Sequence, residues 1–237
     1  MSSVGDKIDA GNARWSFGGN VAESFDSHVE KSVPLYHEGH ELIAKISDFF
    51  LHDGSVCYEI GSSTGALTCM LAERHADTDV HYVGLDNQDS MSKYAQKRAE
   101  GIDRNIEFKT TDVLDFDFEP CDLFVAYYTV QFILPKHRQT LINTIYESLN
   151  WGGSFLLFEK VRACDARFQD ISTAVYTDYK LEQGYSPDEI VGKARSLKGV
   201  LEPFSTEGNL GLLNRAGFVD VVSVFKYMCF EGFLAIK

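Results

Sequence analysis

Two acidic side chains bracket a glycine-rich run in this sequence. The run is Gly61-Ser62-Ser63-Thr64-Gly65; the apolar stretch Val56 to Ile60 before it carries Glu59, and Ala66-Leu67-Thr68-Cys69-Met70-Leu71-Ala72 follows. That order reads as a buried strand, a tight turn and a helix opening out of the turn. Gly61 admits a turn where a Cβ would clash, and Gly65 lets the helix lie close to the strand. Backbone N–H groups at a helix start favour an anionic or polar ligand. Asp86 ends a second apolar run, His81-Tyr82-Val83-Gly84-Leu85. It falls about 20 residues after the loop, the spacing of a carboxylate that holds ribose hydroxyls. Two glycines alone serve turn geometry in many proteins; with Asp86 they predict an adenosine-containing ligand.

Neither the G-x-G-x-x-G of dinucleotide sites nor the G-K-[ST] of phosphate loops is present. Glu59 would repel a diphosphate and attract an ammonium or sulfonium. The expected ligand is therefore S-adenosylmethionine (SAM).

The chain has 237 residues, 44% of them apolar, enough for a packed core. Its formal net charge of −13 argues against nucleic acid or an anionic membrane as a surface partner. Met1 to Ala13 contains no apolar signal segment. The longest apolar run, Phe124 to Leu134, is broken by Thr129 and Gln131 and is too short to span a bilayer. A cytoplasmic protein acting on a small molecule is the expectation. The five cysteines have no C-x-x-C pair, and Cys57, Cys121 and Cys229 read as small hydrophobes in strands. His37-Glu38-Gly39-His40 lacks the spacing of a helical zinc motif and reads as a polar helix start; no metal site is expected.

Strands are expected at 55–60, 80–86, 105–110, 121–128 and 153–159, with helices at 65–75, 89–101 and 136–149. Apolar strands alternating with helices predict an α/β fold with a mostly parallel, doubly wound Rossmann-like sheet. Ligands in such sheets bind at the carboxyl ends of the strands. That rim carries Glu59 to Ser63, Asp86-Asn87, Thr111-Asp112-Val113, Tyr127 to Gln131 and Glu159-Lys160. Asp112 reads either as a turn cap or as the adenine reader, with Val113 offering its N–H. Before the core, residues 1–13 look flexible. Trp15 and Phe17 precede a turn at Gly18-Gly19 and serve either as core packing or as a lid. Helices then run over about 20–31 and 38–51. A helical insertion at 161–204, with Tyr176, Asp178, Tyr179, Lys180, Tyr185 and Arg195, is placed to cap a second substrate. A helix at 207–216 and two strands, 219–226 and 228–236, follow. The short link between those strands predicts an antiparallel pair, with the added antiparallel strand at the C-terminal edge. The divisions read from this pattern are 1–52 (lid and helices), 53–160 (ligand-binding core), 161–204 (insertion) and 205–237 (completion of the core).

The chain resembles the carboxy-S-adenosylmethionine synthases of the class I methyltransferase superfamily. The resemblance rests on Trp15-Ser16-Phe17, Ser32-Val33-Pro34-Leu35-Tyr36, the glycine loop, Gly84-Leu85-Asp86-Asn87, Thr129-Val130-Gln131-Phe132, Asn150-Trp151-Gly152-Gly153, Glu159-Lys160, Asp178-Tyr179-Lys180, Gly184-Tyr185-Ser186 and Ala216-Gly217-Phe218. It implies SAM contacts at Tyr36, Gly61, Ser62, Ser63, Asp86, Asn87, Asp112 and Val113, and a homodimer formed through the inserted helices. Two positions depart from the family. Tyr127 stands where the family has asparagine. Ala194, next to Arg195, stands where it has a carboxylate-binding arginine; a one-residue shift would restore the arginine. Tyr36, Tyr127, Tyr128 and Tyr176 could line the sulfonium. Four outcomes remain open at this level: methyl transfer to a small molecule, with Tyr127 or Tyr176 orienting or deprotonating the acceptor; cyclisation of SAM to azetidine-2-carboxylate with release of methylthioadenosine; carboxy-SAM synthesis from prephenate with Arg195 as clamp; or a SAM-binding regulator.

Overall fold

The structure, a computed structural model, describes residues 2–3, 9–17 and 21–237. The turn expected at Gly18-Gly19, the helix start at Asn20 and part of the leading segment lie outside these residues. In chain order the elements are β1 (Ser2–Ser3), β2 (Asp9–Ala10), α1 (Val21–Ser32), α2 (Tyr36–Ser47), β3 (Ser55–Ile60), α3 (Ala66–Arg74), β4 (Val80–Asp86), α4 (Asp89–Ala99), β5 (Ile106–Thr110), β6 (Cys121–Tyr127), α5 (Pro135–Ser148), β7 (Leu149–Lys160), α6 (Ala166–Glu182), α7 (Pro187–Ser196), α8 (Thr206–Ala216), β8 (Asp220–Tyr227) and β9 (Phe230–Ile236).

Seven strands form one sheet in the order β5-β4-β3-β6-β7-β9-β8, parallel from β5 to β7. The antiparallel member, β9, is not at the edge: it slots between β7 and β8. The burial pattern explains this. Phe230 to Phe233 are buried, whereas β8 is largely open to solvent and suits an edge. β7 also begins earlier than expected, because Leu149 pairs with Cys121 before the register shifts.

Alternating side chains feed two cores, the signature of a sheet covered on both faces. Phe124, Ala126, Phe155 and Leu157 face Leu141, Ile145, Leu212 and Phe218. Leu123, Val125, Leu156 and Phe158 face Ile43, Leu67 and Leu71. The helices of the insertion are bounded by local chemistry. Asp165 caps α6 by accepting from Phe168 N. Ser186 and Glu189 form a reciprocal capping box on α7, with Pro187 in its first turn. The two ends of the insertion meet where Arg162 N donates to the Phe204 carbonyl (2.9 Å), so it is a closed excursion from the sheet rim.

The described part of the leading segment is tied down rather than free. β1 and β2 pair antiparallel, and Ala13 N and Trp15 N donate to the carbonyls of Arg195 (3.0 Å) and Ser196 (3.2 Å). Those carbonyls lie at the end of α7, where a helix has no partners of its own.

Candidate active site

The strand order reverses between β3 and β6, and a cavity of about 880 Å³ opens there at the carboxyl ends of the strands. The loop after β3 is drawn onto the end of β4. Gly61 N and Ser62 N donate to the Leu85 carbonyl (2.7 and 2.9 Å), and Ser63 N donates to the Asp86 carboxylate (2.9 Å). The other Asp86 oxygen accepts from Gln88 N (2.8 Å). Three loop N–H groups are thus spent inside the protein, and the loop does not present them as an anion cradle. Gly65 has a left-handed φ of 74°, and a Cβ there would collide with the Phe108 ring and with Ala95. Its close approach is therefore to β5 and α4, not to β3. Ser63 and Tyr128 hold positive φ without being glycine (49° and 59°), and both line the cavity, the kind of local strain that collects at functional sites.

The aromatic pair packs against α1 and the segment after β6 and also borders the cavity. Trp15 stacks on His28 (5.5 Å between ring centroids) and Phe17 meets Phe132 edge-on (4.9 Å), and both rings line the cavity. α1 is latched to the glycine loop: Thr64 Oγ1 donates to Asp26 (2.6 Å), and Arg98 donates to both Thr64 (2.9 Å) and Asp26.

All ten residues expected at the ligand line this one cavity: Tyr36, Glu59, Gly61, Ser62, Ser63, Asp86, Asn87, Asp112, Val113 and Tyr127. Asp112 also caps a short turn by accepting from Leu114 N (3.0 Å). Glu59 is buried, accepts from the Thr68 hydroxyl, and is pushed up by burial to about 8. Burial thus places the Glu59 carboxyl above the ordinary carboxylate range expected from sequence. His40 is buried among the rings of Tyr36 and Tyr127 (4.6 Å each) and is pushed down by burial to about 3. It is a neutral wall, whereas exposed His37 pairs with Glu30 (3.0 Å).

The three residues expected to be catalytic fare differently. Tyr127 Oη donates to the Tyr36 carbonyl (2.7 Å) and Tyr176 Oη to the Ser32 carbonyl (2.7 Å). Burial raises both phenols far above their ordinary range. Each phenol proton is committed to a backbone carbonyl, and both rings line the cavity. Arg195 is exposed and outside the cavity. On α7 the cavity-facing residues are Ile190, Lys193, Ala194 and Leu197. One residue is about 100° around a helix, which turns Arg195 away and leaves Ala194 facing in.

Sequence reasoning passed over two features. Gly39 was read only as part of a polar helix start, yet a Cβ there would strike the Tyr127 phenol; a glycine inside a helix was the available signal. Lys160 and Lys180 stood among rim and insertion residues and in two motifs of the resemblance, with no role given to either. Both residues line the cavity; their Nζ atoms lie 4.0 and 4.5 Å from the centroid of the Tyr176 ring, and neither Nζ makes a hydrogen bond or ion pair among the described residues. Burial lowers both amines, and the neighbouring Lys160 charge adds to the effect at Lys180, which falls to about 8. No local pattern marks them, because β7 and α6 meet only in the fold.

The methyltransferase domain family matches residues 58–153, which span β3 to the start of β7. The carboxy-S-adenosyl-L-methionine synthase of Staphylococcus epidermidis is 36% identical over 228 residues, 94% of this chain and 97% of that protein. The chain belongs to the carboxy-S-adenosyl-L-methionine synthase family. The Campylobacter jejuni synthase agrees, at 38% identity over 94% of each chain. Among solved structures, human N-acetylserotonin methyltransferase in complex with SAM superposes with a TM-score of 0.58 at 18% identity, over 84% of this chain and 51% of that one. The methyltransferase SibL gives 0.62 at 15%, over 85% and 55%. These distant neighbours share the fold. Family membership makes the protein a SAM-dependent transferase of the methyltransferase fold. Its cavity fits that ligand: Trp15 Nε1, Ser62 Oγ and Tyr128 Oη are buried in cavity-lining residues with no hydrogen-bond partner among the described residues, as expected of a site completed by a polar ligand.

Proposed function

We propose that this family member transfers a methyl group from SAM to a small carboxylate-bearing molecule. The observation that carries the reading is the pair of unpartnered lysines, Lys160 and Lys180, in the lobe of the cavity roofed by α6. Buried cations without counter-charges are costly, and an anionic substrate would offset that cost. In this reading Gly61, Ser62, Ser63, Asp86, Asn87, Asp112 and Val113 hold the nucleoside, Asp86 by its ribose hydroxyls. Tyr36, Glu59 and Tyr127 border the amino-acid end. SAM supplies the one-carbon electrophile when bound. The protein's part is to align the acceptor and exclude water behind the Trp15–Phe17 wall. Ala194 on the cavity face of α7 favours methyl transfer over carboxy-SAM synthesis, because the carboxylated product would find no arginine there.

Two further readings each have an observation. Family membership supports carboxy-SAM synthesis from prephenate, with the lysines replacing the arginine. The aromatic wall of Tyr36, Tyr127 and Tyr128 beside neutral His40 supports cyclisation of SAM alone, which needs a neutral amine in a dry site. Mass spectrometry separates them. SAM plus a panel of small carboxylic acids should give S-adenosylhomocysteine and a methylated acid. Methylthioadenosine from SAM alone, or carboxy-SAM with prephenate, would replace the proposal. A homodimer belongs to the same reading, with the outward face of α6 as its contact: Phe168, Ile171 and Val175 are exposed there in helical spacing.

A further inference from the structure

The α6 roof is inverted. Its apolar Phe168, Ile171 and Val175 face solvent, while Thr173, Tyr176, Thr177 and Lys180 line the cavity. A polar inner stripe at spacings of three and four residues is a binding surface rather than a packing one. Lys180 sits at its end, only 8% exposed, and its Nζ makes no hydrogen bond or ion pair among the described residues. Lys160, reaching in from β7, shares the Tyr176 ring with it. A desolvated lysine beside a second cation is the arrangement that turns an ammonium into an amine nucleophile.

Four other titratable side chains of the cavity are committed elsewhere, and Lys193 donates to Ser32 Oγ (2.6 Å). Tyr127 and Tyr176 donate to backbone carbonyls, Glu59 accepts from Thr68, and His40 is enclosed by tyrosine rings. We infer that Lys180 forms a Schiff base with a small 2-oxo acid, whose carboxylate is paired by the Lys160 ammonium. This names the substrate class for the lobe and rests on the reading that a carboxylate-bearing acceptor binds there. The neutral amine adds its lone pair to the keto carbon, and the carbinolamine loses water to give the iminium. Loss of a proton from the adjacent carbon to solvent yields an enamine, a carbon nucleophile of the kind a methyl donor requires. Water returns the ketone and frees Lys180, so no oxidant or reductant is consumed.

The test uses the full chain with pyruvate as the probe and sodium cyanoborohydride as the trap, read by peptide mapping. Lys180 should carry the reduced adduct at pH 8 at a rate at least about tenfold above that of exposed Lys93, as expected of an amine with a lowered pKa. The Lys180 rate should rise through pH 8. Lys180→Arg, checked for an unchanged circular dichroism spectrum, should lose the fast adduct; Cys229→Ala, which removes the cavity's thiol, should keep it. Lys180 labelling no faster than Lys93 in the wild-type protein would overturn the inference even if acids are methylated in the turnover assay. Fast labelling of Lys180 with no methyl transfer to any acid would uphold it and sink the methyltransferase reading instead.

Discussion

Glu59 and Asp86 are both carboxylates at the mouth of one loop, yet their surroundings give them different work. Asp86 accepts two backbone N–H groups and orders the turn, with lone pairs left for a ligand. Asp86→Ala should weaken SAM binding by about 2–4 kcal/mol, through lost charged hydrogen bonds and a loosened loop; an unchanged dissociation constant by calorimetry would remove this cavity from consideration. Glu59 is raised to about 8 by burial, and a cationic ligand beside it would lower that value again. Binding of SAM at pH 7 should therefore release a proton, and affinity should rise with pH up to about 8. Titrations in buffers of different ionisation enthalpy measure the release, and Glu59→Gln should abolish it. Because their hydroxyls are tied to backbone carbonyls, Tyr127→Phe and Tyr176→Phe should each keep turnover within about tenfold of wild type; a larger loss in kcat would return a phenol oxygen to the chemistry.

Among the elements, α2 shows how a local rule is overruled by a neighbour. Alanine for glycine inside a helix gains about 1 kcal/mol by propensity. At position 39 the new Cβ meets the Tyr127 phenol, so Gly39→Ala should instead destabilise by about 1–3 kcal/mol, the cost of overpacking. The loss should shrink in a Tyr127→Phe background, where the nearest clashing atom is gone. A double-mutant cycle by denaturant unfolding measures that coupling, and simple additivity would contradict the contact. α6 shows the opposite case, a helix whose sequence polarity gives no sense of direction. Its outward apolar stripe should bind a second copy, and Ile171→Asp should convert a dimer to a monomer in light scattering. A monomer at all concentrations for the wild type would remove the dimer.

For the whole molecule, the buried carboxyls set the response to pH. Glu59 and Glu159 are both raised by burial from 4.5 to about 8. The folded state then holds more protons than the unfolded chain between those values, so their contribution is full below about pH 4.5 and is lost as pH rises through 8. Two groups act in the opposite sense: Lys180, lowered from 10.5 to about 8, costs stability as pH falls through that window, and His40, lowered from 6.5 to about 3, does so below 6.5, one group against the two carboxyls. The Tm should fall from pH 5.5 to pH 8, and the Glu159→Gln variant, which removes one of the two carboxyls, should show a shallower slope. A Tm that rises over this interval would show that the carboxyls are ionised in the folded protein.

The strand–loop–helix at 55–74, the alternation of apolar strands and helices, and the carboxylate after β4 were legible in the sequence, because each is a local pattern with a fixed period or spacing. Nine of the ten cavity-lining positions expected at the ligand followed, since a parallel sheet brings the carboxyl ends of its strands to one rim, and Tyr36 came from the resemblance. What tertiary structure alone decided concerns contacts between distant segments. The phase of α7 set Ala194 inward and Arg195 outward. The crossing of β7 and α6 placed Lys160 and Lys180 on one ring. The path of Tyr127 tied its phenol to the Tyr36 carbonyl, and the burial of Glu59 raised its carboxyl above the ordinary range. Direction of a side chain and loss of its water are properties of the packed molecule, and no run of neighbouring residues encodes them.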